Sequence, residues 1–215
     1  MKTRLLLAAL MTIGIMAFSF GQERTGNEMQ TIFGDTDNKI DHGGYGAISI
    51  GYTQIDGEDV MTLGGRAAWV IDHHVAIGLA GKAFVNSIYI DDYWEPNYDG
   101  FYLVGGYGGF FVEPILFPNY PVHVSFPILI GGGGLALNDH TWHDYEWEDD
   151  YYEPYDWDSY FVLEPGAEIE LNLVKFFRVA FGASYRYTSD MHMANVPKNM
   201  MSGFNGYVTF KFGAF

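Results

Sequence analysis

The chain has 215 residues, with 11 Lys and Arg against 27 Asp and Glu for a formal net charge of −16, and it has no cysteine. The acidity excludes a nucleic-acid binder, because phosphate contacts need Lys and Arg. The lack of thiols excludes disulfide staples, thiolate metal sites and a lipid-modified cysteine.

The chain opens Met1-Lys2-Thr3-Arg4 and then runs apolar from Leu5 to Phe20. That is a charged n-region followed by an apolar stretch too short for a bilayer, which needs about 20 residues. Ser19 and Gly21 supply the small residues of a cleavage site. Residues 1–21 therefore read as a secretory signal peptide, with Gln22 as the mature start. Residues 22–42 read as a polar periplasmic lead-in, and 43–215 as a single domain.

Eight extended segments follow, over 44–54, 60–72, 75–87, 101–113, 122–135, 160–172, 176–188 and 205–215. Glycines and polar clusters separate them, and no useful helical period is present after residue 21. The connections at 72–74, 114–121 and 173–175 are short. Those at 88–100, 138–159 and 189–204 are long, while Asp56-Gly57-Glu58-Asp59 is tight. Short turns at one end and long loops at the other is the pattern of a membrane barrel with its long loops outside the cell.

Each segment has two unlike faces, as period-two alternation requires. Phe177, Val179, Phe181, Ala183, Tyr185 and Tyr187 alternate with Arg178, Ala180, Gly182, Ser184 and Arg186. Phe161, Leu163, Pro165, Ala167, Ile169 and Leu171 alternate with Val162, Glu164, Gly166, Glu168, Glu170 and Asn172. A hairpin centred on Val174 sets Leu171 against Phe177, Ile169 against Val179 and Glu170 against Arg178. One centred on His73 sets Ile71 against Val75, Trp69 against Ile77 and Ala67 against Leu79. Cross-strand pairs of this kind pin register.

The polar face is mostly Gly, Ala and Ser, with charges of both signs, which is too little to coat a wet exterior. It suits a narrow lumen. There Glu113, Glu164, Glu168 and Glu170 would meet Arg66, Lys82, Arg178, Arg186 and Lys211, since buried ions must be paired. The apolar face suits hydrocarbon. Tyr52, Tyr185 and Tyr187 fall at the outer strand ends, and Trp69 and Phe177 at the inner ends, as two interfacial girdles require. The fold class is all-β: an eight-stranded antiparallel up-and-down transmembrane β-barrel.

With this strand count, this loop asymmetry and the ending Tyr207-Val-Thr-Phe-Lys-Phe-Gly-Ala-Phe215, the chain resembles the small eight-stranded outer-membrane barrels, the OmpA/OmpX-like group. The resemblance covers about residues 43–215. It implies a multi-pass protein of the outer membrane of a Gram-negative bacterium, in contact with outer-membrane lipid and lipopolysaccharide. It also implies a C-terminal strand read by the barrel-assembly machinery, with Phe215 as the terminal aromatic. Phe210 and Phe212 are out of phase with Phe215, and a bulge near Gly213 would restore the phase. Pro127 and Pro165 lie within segments where a closed barrel has no free edge, and Gly131–Gly134 follow the first of them. Hydrogen bonding is expected to break there, as a bulge or bend, or as a lateral opening.

Two outer loops are acidic and aromatic. Their candidate binding residues are Trp94, Tyr98, Trp142, Tyr145, Trp147, Asp149, Asp150, Tyr155 and Trp157. Aromatic rings stack on sugars or anchor protein partners, so a glycan or protein ligand is expected. Crowded carboxylates attract divalent cations. His140, His143 and Asp144 form a candidate metal set, with His192 nearby. No other cofactor is expected. No enzyme is expected either: Ser159 with His140 or His143 is the sole rim candidate for nucleophile and base, and no spacing supports it. The role expected is structural or recognition work through the loops, with a lumen plugged by side chains. The alternatives are a lipid-modifying rim enzyme, a narrow channel, and a secreted soluble barrel holding an apolar ligand.

Overall fold

In the computed structural model, the described residues are 41–88, 101–139, 156–192 and 197–215. Nine strands lie among them. They are β1 (His42–Ile55), β2 (Glu58–Ile71), β3 (Val75–Ile88), β4 (Phe101–Leu116), β5 (Val122–Ser125), β6 (Ile128–Asp139), β7 (Asp156–Val174), β8 (Phe177–Thr188) and β9 (Gly203–Ala214). All pairings are antiparallel, and β9 pairs with β1 to close the ring. β5 and β6 both lie between β4 and β7, so they are two parts of one wall strand. The ring therefore has eight strands in its wall.

The hairpins show why the chain turns where it does. Asp56 and Gly57 have φ of 53° and 86°, and Ile55 pairs with Glu58 across them. A two-residue hairpin loop of this hand needs positive φ at both positions, and Asp-Gly is the pair that meets the need. At the next turn Asp72 and His73 take φ of 50° and 58°. The β2–β3 register is as the alternation predicts, with Ile71 opposite Val75 and Trp69 opposite Ile77. Phe117, in the β4–β5 turn, has φ of 59°. A bulky residue held there costs about 1–3 kcal/mol.

Two expectations are corrected. The β7–β8 hairpin is offset by two residues: Leu171 lies opposite Val179, Ile169 opposite Phe181 and Glu170 opposite Ala180. The cause is a bulge between Asn172 and Val174, which moves the turn to Lys175-Phe176. Asn172 Nδ2 is held away from the hairpin by the Pro118 and Tyr120 carbonyls at 3.3 and 2.8 Å. An even offset leaves every side chain on its face. The second correction is at the C-terminus. No bulge occurs at Gly213, because the β1–β9 and β8–β9 registers both run unbroken to that end. Phe215 keeps the phase of Lys211 and turns inward.

The break expected at the proline seam is small. Phe126 and Pro127 leave the ladder, and Ile128 re-enters it opposite Pro165. Phe126 N donates to Pro114 O at 2.9 Å, and Gly166 N donates to Pro127 O at 2.8 Å. The wall is stitched on both sides of the gap.

Glycine makes room for rings inside the wall. A Cβ on Gly133 would sit 2.5 Å from Tyr160 Cζ and 2.6 Å from the Gly106 carbonyl, whereas one on outward Gly132 would meet only the Tyr160 carbonyl at 3.4 Å. Overpacking costs about 1–3 kcal/mol. Gly133→Ala should therefore lower the urea midpoint in detergent micelles by an amount of that order, and Gly132→Ala should leave it unchanged.

Candidate functional site

Strand parity places the charges inside. Arg178, Arg186, Glu164, Glu168, Glu170, Glu113 and Lys211 are buried, as are the side chains of Arg66 and Lys82. On the opposite face Phe181 is 53% exposed and Ile169 54%. A soluble protein has the reverse arrangement.

The interior ions form two groups. Toward the turn end, Lys211 Nζ lies 2.5, 2.9 and 2.8 Å from carboxylate oxygens of Glu113, Glu168 and Glu170. Arg66 Nη2 donates to Glu168 at 2.5 Å. Tyr45 OH donates to Glu113, and Ser125 Oγ donates to the same carboxylate at 2.9 Å. His123 Nε2 lies 3.3 Å from Glu170, and Arg178 Nη1 lies 3.7 Å from it. Oxygen atoms of the three carboxylates fall within 4.8 Å of one another. That spacing suits a cation, and the Lys211 ammonium takes the place.

The second group lies toward the loop end. Glu164 accepts from Lys82 at 2.6 Å, from Asn205 at 2.9 Å and from Ser184. Lys82 also stands 4.5 Å over the Tyr207 ring, a cation–π contact. Between the two groups the cavity among Arg66, Lys82, Glu164 and Tyr207 measures about 20 Å³. That is the space one water molecule takes. Rings fill the rest of the section: Tyr45, Phe84, Tyr107, Phe111, Tyr160 and Tyr207 are buried. The turn end is closed by Phe215, stacked 5.5 Å from the Tyr45 ring, with the Arg178 guanidinium 3.9 Å over its face.

Arg186 differs from the other interior cations. Among the described residues it has no carboxylate in ion-pair range. Its Nε donates to the Met201 carbonyl, its Nη1 to Tyr107 OH at 3.5 Å, and its plane lies 5.3 Å over the Tyr107 ring. It anchors the last loop. Met191, Met200 and Met201 of that loop are buried with the interior rings. Thr188 N donates to Ser202 Oγ at 3.1 Å, and His192 N donates to Asp158 Oδ2 at 2.5 Å. The loop end of the lumen is thus capped by methionines.

Of the loop candidates, Trp157 is described. It stands on the outer wall at the loop end, 69% exposed. Ser159 lies two residues on, exposed on the same outer face, while Asp158 points the other way to the last loop. Trp94, Tyr98, Trp142, Tyr145, Trp147, Asp149, Asp150, Tyr155, His140, His143 and Asp144 lie outside the described residues, as do residues 1–40 with the signal-peptide reading and most of the lead-in. Sequence reasoning did not pick out His123, Tyr45, Ser125, Asn205 or the three methionines. For His123 a signal was available: in Val122-His123-Val124-Ser125 the alternation already turns it inward.

No family model and no curated protein matches the chain. Among solved structures it is similar to Neisserial surface protein A, at 8% identity over 82% of this chain and 99% of that one, with a TM-score of 0.52. The N-terminal β-barrel domain of Pseudomonas aeruginosa OprF aligns at 6% identity over 81% and 99%, with a TM-score of 0.49. The attachment invasion locus protein Ail of Yersinia pestis, in complex with the heparin analogue sucrose octasulfate, aligns at 8% identity over 80% and 97%, with a TM-score of 0.48. The fold is that of the small eight-stranded outer-membrane barrels, the OmpA/OmpX-like architecture.

Two measurements probe the interior. Lys211→Met removes the cation shared by three buried carboxylates and should cost about 3–5 kcal/mol of stability in detergent micelles; adding Glu170→Gln should recover part of it. Arg186→Lys keeps the charge and loses the planar fork. Limited proteolysis should then cut residues 189–202 faster, with the barrel still folded.

Proposed function

We propose that this chain is a multi-pass barrel of a Gram-negative outer membrane, a non-conducting scaffold whose loop end performs recognition. One observation carries the reading: the ions lie inside and the large apolar side chains outside. Such a wall needs hydrocarbon around it, so the wall's partner is outer-membrane lipid. The turn end then faces the periplasm and the long loops face outward.

The filled interior supports the scaffold role. Eight strands enclose a section that side chains can fill, and here rings, ion pairs, Phe215 and the methionine cap occupy it. A narrow channel and a soluble carrier of an apolar ligand both fit this interior poorly. A rim hydrolase is likewise poorly supported, because the Ser159 side chain stands on the outer wall. With Phe215 inward, contact with the barrel-assembly machinery through β9 falls to the outer-face aromatics Phe210 and Phe212, which stack on Phe177 with centroids at 6.5 and 4.7 Å.

Recognition falls to the aromatic and acidic loop residues, with Trp157 exposed at their base. Their chemistry suits a glycan or lipopolysaccharide sugar, or a protein partner. A divalent cation held by the loop carboxylates, or by His140, His143 and Asp144, would link such a loop to anionic lipopolysaccharide.

The test combines address and conduction. The chain should fractionate with outer membranes, require detergent for extraction and shift on a gel between unheated and boiled samples. Purified protein should give no unit conductance in planar bilayers. Recovery as a detergent-free soluble protein overturns the membrane reading, and steady conductance overturns the plug. For the loops, Trp142→Ala with Trp147→Ala should abolish retention on immobilised lipopolysaccharide while the gel shift persists.

A further inference from the structure

The turn end of the barrel is not uniform. The β2–β3 turn is Asp72-His73-His74, with His73 3.6 Å from Asp41. That side is charged. The turns after β4 and β7 read Leu116-Phe-Pro-Asn-Tyr120-Pro-Val122 and Leu173-Val-Lys-Phe176. Neither contains a carboxylate, in a chain with 27 of them.

Their apolar groups stand outward. Phe117 is 67% exposed, Tyr120 62% and Phe176 64%, with Leu173 and Val174 also exposed. The two turns form one surface, because β5 pairs with β7 and Asn172 Nδ2 bonds to the Pro118 and Tyr120 carbonyls of the neighbouring turn. Phe117 holds its ring edge-on to Tyr120, 6.2 Å between centroids at 87°, from a left-handed backbone. A turn standing in water gains nothing from a phenylalanine there, where Gly or Asn serves.

The surface is continuous with the apolar wall. Leu116 is the last residue of β4 and faces outward with the wall residues Phe110 and Val112. Lys175 is the lone charge, exposed at the tip of its turn. A lysine at such a place lays its stem on apolar surface and extends its ammonium to phosphate headgroups.

We propose that the 116–122 and 173–176 turns form a membrane-seating surface. They lie among the headgroups and upper acyl chains of the leaflet at the turn end, while Asp72-His73-His74 stands in water. The barrel is thus immersed more deeply on its β4–β8 side. The occupant is lipid, because the surface extends a wall that already meets lipid. This inference rests on the proposed reading of that wall.

The cysteine-free chain makes the test direct. Single cysteines replace Phe117, Phe176, His73 and the mid-wall Phe181 in the full chain, which is refolded into phosphatidylcholine vesicles and labelled with bimane. Folding is checked by the gel shift, and Tyr120→Cys substitutes for Phe117→Cys if that variant does not fold. Brominated lipids quench from the bilayer and iodide quenches from water. Labels at 117 and 176 should be quenched by shallow bromines and show severalfold less iodide quenching than the label at 73. Equal iodide quenching at all three turns overturns the proposal, and so does shielding that appears only when a periplasmic extract is added. In either case bromine quenching at Phe181 leaves the wall reading intact. Loss of bromine quenching at Phe181 overturns the wall reading itself.

Discussion

Every ion inside this barrel has to be held by another group, and that requirement organises the rest of the structure. An unpaired buried charge costs several kcal/mol. Lys211 on β9 therefore reaches Glu113 on β4 and Glu168 and Glu170 on β7 at once. Arg66 on β2 reaches Glu168 on β7. Lys82 on β3 reaches Glu164 on β7. These contacts cross the lumen and tie together strands that do not pair. A one-residue slip of any of them would send its ions to the lipid side and its Ile and Phe to the lumen. The ion pairs thus penalise wrong registers.

Space is matched as closely as charge. The inward glycines face rings: Gly182 lies under Tyr207, Gly133 under Tyr160, and Gly105 beside Phe84. Close packing of this kind leaves few voids larger than a water molecule. The long charged side chains need the same relief, because a wall of larger residues would leave no room for five cations (Arg66, Lys82, Arg178, Arg186, Lys211) and four carboxylates (Glu113, Glu164, Glu168, Glu170) in one section. A filled, bonded interior of this kind is rigid.

The two ends are finished differently. At the turn end the C-terminal ring lies inside against Tyr45 and Arg178. At the loop end Arg186 uses its charge on a backbone carbonyl and a tyrosine to hold the methionine cap. An arginine suits this because its fork bonds two groups in fixed directions while its face lies on a ring.

Alternation in the sequence was enough to determine the strands, their faces and the barrel class, because period two is a local property and each residue's parity survives any even shift. The Asp56-Gly57 turn and the His73 hairpin were legible for the same local reason. The β7–β8 offset was not, since it depends on Asn172 bonding to a turn 52 residues away at Tyr120. The Phe126–Pro127 gap could be placed but not its repair, which uses carbonyls of Pro114 and Pro127. The sequence marked which ions face inward, yet their partners, the inward turn of Phe215 and the methionine cap were decided only when the ring closed. Closure brings residues about 100 positions apart within hydrogen-bond reach, as for Lys211 and Glu113, and distance across a lumen leaves no trace in the spacing along a strand.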